Sequence, residues 1–75
     1  MKLSQIKVGQ SCIIESFTDE HLKLKLMEMG CIPGEIIRVE KIAPLGDPIS
    51  ISVGGYSLSL RLNEAEQIII EEVYS

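Results

Sequence analysis

The pair Gly54-Gly55, set between two runs of alternating apolar and polar residues, constrains the fold more than any other feature of the chain. Upstream, Ile49, Ile51 and Val53 alternate with Ser50 and Ser52. Downstream, Tyr56, Leu58, Leu60 and Leu62 alternate with Ser57, Ser59 and Arg61. A period of two is the pattern of a half-buried strand. Glycine supplies the positive φ that two-residue hairpin turns need. The segment therefore predicts a β-hairpin turning at Gly54-Gly55.

The flanking sequence adds three more strands. Leu3 to Gly9 is a short first segment that Leu3, Ile6 and Val8 can anchor. Ser11 to Phe17 follows as a strand, with Cys12 and Ile14 on one face and Ile13 and Phe17 on the other. Glu35 to Ile42 is β-branched and strand-like, and Ile68 to Val73 forms the last strand. Between strands, Pro33-Gly34 marks a turn and Ala43 to Pro48 a loop. Asn63 to Glu66 is expected as a helical turn.

Residues 18–29 carry two patterns at once. His21 to Leu26 alternates like a strand, whereas Leu22, Leu26 and Met29 lie on one helical face. The ends decide for a helix. Thr18 is suited to the N-cap, Asp19 and Glu20 to the first turn, and Gly30 to the position after the last turn. This phase leaves Leu24 and Met27 off the buried stripe.

The 75 residues make one domain, spanning 1–75. Its 45% hydrophobic content is ample for a core, and that core must be aliphatic, because Phe17, Tyr56 and Tyr74 are its only aromatics. Five short strands and one inserted helix point to a mainly β fold, a small barrel whose closure would remove sheet edges. No run approaches the length of a membrane-crossing helix, so direct membrane insertion is not expected. Seven basic residues against eleven acidic ones, a net charge of −4, argue against nucleic acid and anionic lipid. Two cysteines without a CxxC pair, and no signal peptide, suggest a reduced cytoplasmic protein.

An ordered set of short motifs runs along the chain. Leu26-Met27-Glu28-Met29-Gly30 precedes Ile32-Pro33-Gly34; then come Ala43-Pro44-Leu45-Gly46-Asp47-Pro48, and Ser59-Leu60-Arg61 with Glu64-Ala65. In this order and at these spacings, over roughly residues 3 to 73, the chain resembles the FeoA family of ferrous-iron transport accessory proteins. The resemblance implies an SH3-like β-barrel. It also implies a cytoplasmic accessory role beside a membrane ferrous-iron transporter with a GTP-binding domain. A similar domain ends iron- and manganese-dependent repressors. That gives the alternative of a metal-ion-binding sensor or repressor-associated domain, with ferrous iron or manganese as its ligand. Self-association as a homo-oligomer is left open.

The chemistry that an enzyme would need is missing from the sequence. There is no G-x-x-x-x-G-K-[ST] loop, so any nucleotide must be bound by the partner. His21 is the one histidine, and nothing in the sequence places it beside a cysteine as a base. No catalytic residue and no cofactor are expected. His21, Cys31 and a carboxylate are a weak alternative metal set, because a metal site needs several converging ligands. Otherwise His21 is a solvated side chain, Cys31 is packed at a turn and Cys12 is a small core hydrophobe.

Two features suit partner contact. Leu24 and Met27, with Ile32 and Leu45, make an expected outward apolar patch, and such patches often mark binding sites. Arg61, on the outward face of its strand, is either a polar anchor for a partner or half of a local ion pair with Glu64.

Overall fold

The computed structural model describes residues 1–73; Tyr74 and Ser75, at the end of the expected domain, lie outside the described residues. A 3-10 turn at Leu3–Gln5 opens the chain. It is followed by β1 (Ser11–Phe17), α1 (Glu20–Glu28), β2 (Ile36–Ile42), β3 (Ile49–Val53), β4 (Tyr56–Leu60), α2 (Leu62–Ala65) and β5 (Ile68–Glu72). The five strands form one antiparallel sheet in the order β4-β3-β2-β1-β5.

The β3–β4 hairpin turns as the sequence predicts. Val53 pairs with Tyr56, and both Gly54 and Gly55 have positive φ. Val39, Ile51, Leu60 and Ile68 are fully buried in one aliphatic core with Leu3, Cys12, Ile14, Leu26 and Cys31. Among the described residues no polar side chain is buried.

Three local expectations are corrected. Phe17 was expected opposite Cys12 and Ile14, but the β1–β5 register shifts between Ile14 and Ser16, and Phe17 packs against the core. One extra residue in a strand reverses the phase beyond it. Val8 does not anchor the first segment: it is exposed, while Leu3 and Ile6 are buried. The sheet also does not close into a full barrel: β4 and β5 end it on opposite sides, with no pairing between them among the described residues. The chain leaves β4 at Leu60 and turns through α2 before β5 pairs with β1.

Helix α1 forms with its ends well satisfied. Its N-cap is Asp19 rather than Thr18: the Asp19 carboxylate accepts from the His21 and Leu22 N–H groups, at 2.8 and 3.4 Å. Thr18 instead ties β1 to the start of β5, its N–H donating to the Gln67 carbonyl and its hydroxyl bonding the Gln67 side chain. At the other end Cys31 N–H donates to Leu26 O and Gly30 N–H to Met27 O, with Gly30 at φ 98°. That is the paired closure that a C-terminal glycine permits, and it draws Leu26 and Cys31 together into the core. Leu26 carries the buried stripe, with Leu22 and Met29 half-buried beside it.

Candidate functional site

The short helix α2 organises the surface around which the expected contact residues are placed. Its first N–H groups have no partners inside the helix. The Asp47 carboxylate accepts from Leu62 N–H at 3.0 Å, and the Glu64 carboxylate accepts from Arg61 N–H at 2.9 Å. Glu64 also pairs with Lys25 Nζ of α1 at 3.0 Å. Two carboxylates thus pin the 43–48 loop and α1 to the same corner. The Arg61 N–H bond, helped by Lys25, holds the Glu64 carboxyl below its ordinary range. The loop is itself closed by Gly46 N–H to Ala43 O and Ala43 N–H to Pro48 O, and it contains a cis Asp47-Pro48 bond.

The expected contact residues fall into two groups. Leu24, on α1, is 64% exposed, Ile32 in the α1–β2 connection 44%, and Leu45 at the loop tip 95%. All three are apolar and open to solvent, as the sequence suggests. Met27 is half-buried, so it is less available than Leu24. Arg61 does not sit on the outward face of a strand: it follows β4 and caps α2. Its side chain is exposed and lines a cleft of 280 Å³ with Asp19, Leu22, Lys25, Asn63 and Gln67. The expected Arg61–Glu64 ion pair is replaced by a bond from the Arg61 backbone and a bridge from Lys25.

The weaker metal set does not converge. His21 is exposed in the first turn of α1, whereas Cys31 is buried beyond its far end. The helix between them contributes about 10 Å of rise. Burial pushes the Cys31 thiol above its ordinary pKa. Burial, with the Glu72 carboxylate nearby, pushes Cys12 up to about 11. With no metal bound, burial thus favours the neutral thiol at both positions, which lowers their reactivity as nucleophiles. Among the described residues, no three His, Cys, Asp or Glu side chains are gathered as a metal site.

Sequence reasoning missed the structural roles of Asp47, Lys25 and Gln67. The Arg61-x-x-Glu64 spacing, in which the third helical residue reaches back to the cap, was the available signal for Glu64. Asp47 acts across 15 residues and had no local signature.

Residues 1–72 match the family described as "FeoA domain". A relative from Porphyromonas gingivalis, a "Fe(2+) transport protein A/Fe(2+) transporter FeoB fusion protein", is 32% identical over 76 residues. The match takes in all of this chain and 9% of that protein, so the chain corresponds to a small part of its relative. The solution structure of FeoA protein from Chlorobium tepidum is 36% identical, with a TM-score of 0.91, over 99% of this chain and 71% of that one. Stenotrophomonas maltophilia FeoA, crystallised with zinc and described as a procaryotic SH3 domain protein, is 30% identical, with a TM-score of 0.82, over 95% and 89% of the two chains. No helix among the described residues is long and apolar enough to cross a membrane. The mainly β, SH3-like fold and the match along nearly the whole length agree: this chain belongs to the FeoA domain family.

Proposed function

We propose that the domain is a non-catalytic cytoplasmic accessory of ferrous-iron transport, and that it docks on the cytoplasmic part of a membrane ferrous-iron transporter that carries its own GTP-binding domain. The supporting observation is the Porphyromonas gingivalis relative, in which a similar domain and a ferrous-iron transporter are one polypeptide. Fusion gives the two parts a high effective concentration. Separate chains need an interface to achieve the same encounter. Leu24, Ile32 and Leu45 supply the apolar part of that interface, Met27 flanks it, and Arg61 is a polar anchor on the neighbouring cleft. Leu45 offers the most apolar surface of the three, being 95% exposed at a loop tip.

The test is ferrous-iron uptake in cells that lack the domain and are supplied with the wild type or with Leu24→Glu/Leu45→Glu. The variant should restore much less uptake at equal protein level. Full restoration would refute the interface.

The domain works without a resident metal in this reading. The support is the donor set: two buried cysteines and one exposed histidine, with no three His, Cys, Asp or Glu side chains gathered among the described residues. Anaerobic calorimetry with ferrous iron or manganese should show no saturable binding at about micromolar levels. A one-to-one isotherm that vanishes in His21→Ala or Cys31→Ser would favour the sensor alternative instead.

A further inference from the structure

The two edges of the sheet are protected very differently. On β5, Ile70 N–H donates to Met1 O at 2.8 Å, Lys2 bridges to Ile69, and the strand ends in Glu71 and Glu72. An edge covered by another segment and carrying charge resists further pairing. On β4, Tyr56-Ser57-Leu58-Ser59-Leu60 has no charge and no proline, in a chain that is 24% charged. The β3–β4 ladder also runs without a register shift, unlike the β1–β5 and β2–β3 ladders. Bulges are a third device that blunts an edge, and β4 lacks it.

The register identifies which groups face outward. Val53 and Tyr56 flank a two-residue turn and form a hydrogen-bonded pair. The antiparallel ladder alternates, so Ile51–Leu58 and Ile49–Leu60 are hydrogen-bonded pairs as well. The N–H and C=O groups of Ser57 and Ser59 therefore point away from β3. Both serines are exposed, and β3 is the one strand paired with β4 among the described residues.

We propose that this edge is a self-association site, at which β4 of two copies pairs antiparallel about a two-fold axis at Leu58. Ser57 of each copy then lies opposite Ser59 of the other, and these are the residues whose polar groups face outward. Leu58 meets its own copy, and Tyr56, 70% exposed in the single chain, lies opposite Leu60. No charge opposes a like charge along the strand, which matters because each copy carries a net −4. A two-fold contact of this kind is closed and leaves no edge from which to grow. A five-residue strand spans only about 17 Å, so the contact falls well below standard interface size and gives a weak, concentration-dependent dimer. This inference does not depend on docking to a transporter, and its test contains none.

Sedimentation velocity of the isolated chain, from about 20 μM to about 1 mM, should show a monomer shifting towards a dimer. Amide exchange at Ser57 and Ser59 should slow over the same range. Ser57→Lys/Ser59→Lys places like charges opposite one another and should weaken association by about tenfold or more. Ser57→Glu/Ser59→Glu should do the same, and an equimolar mixture of the two variants should associate again. Thermal melts confirm that each variant is folded, as expected for exposed serines. Ser59→Pro, which removes an outward N–H and spares the β3 ladder, is a second way to break the dimer. A chain monomeric throughout, charged variants that associate like the wild type, or a mixture that fails to associate would each overturn the proposal.

Discussion

Glu64 does three things with one carboxylate. It accepts the Arg61 N–H, pairs with Lys25 and so fixes α1 against the turn that follows β4. Lys25 is well exposed, so the ion pair itself contributes at most about 1 kcal/mol. The backbone bond is the larger cause of the lowered pKa. A carboxyl with a lowered folded pKa contributes stability that is complete above the ordinary carboxylate range and is lost as pH falls through and below it. Thermal melts of the wild type should therefore drop between about pH 5 and about pH 3, and Glu64→Gln should show a shallower drop. An identical pH profile for the two proteins would remove Glu64 from this role. The spacing of Arg61 and Glu64 was visible in the sequence, but the partner that Glu64 chooses was not. Lys25 is distant in the chain, and only the packing of α1 brings it close.

At the scale of elements, the hairpin and the helix were both legible, for different reasons. Gly54-Gly55 between two period-two runs has one reasonable folding, and the structure adopts it. Residues 18–29 had two patterns, and chemistry at the ends resolved them. Gly30 closes α1 as expected, whereas the N-cap moved one residue, from Thr18 to Asp19. Thr18 is drawn off by Gln67, a contact 49 residues away that no local rule detects. The phase of α1 leads to a paired prediction. Leu26→Ala should cost about 2–5 kcal/mol in chemical denaturation, since Leu26 is fully buried. Leu24→Glu should change stability by about 0.5 kcal/mol or less, since Leu24 is 64% exposed. Comparable losses from both would mean that the helix buries a different face. Strand phase was harder to read than strand position. The shift between Ile14 and Ser16 turns Phe17 inward, and a bulge leaves no mark in residue type.

For the whole molecule, the class of fold and the apolar residues left outside it were legible in the residue pattern. It did not reveal that the sheet stays open, because closure depends on how β4 leaves the sheet at α2 rather than on any strand's composition. Leu24, Ile32 and Leu45 stand exposed as anticipated, Met27 is partly withdrawn, and Arg61 belongs with the α1–α2 cleft. Under the proposed function the domain is a docking module that acts through its surface. The most direct measurement is the affinity of the purified chain for the cytoplasmic part of a ferrous-iron transporter, compared between wild type and Leu24→Glu/Leu45→Glu, with a melt of each. The account predicts saturable binding by the wild type, a loss of about 2 kcal/mol or more in the variant if the two leucines are anchors, and unchanged melting. Equal affinity for both proteins at equal stability would contradict it.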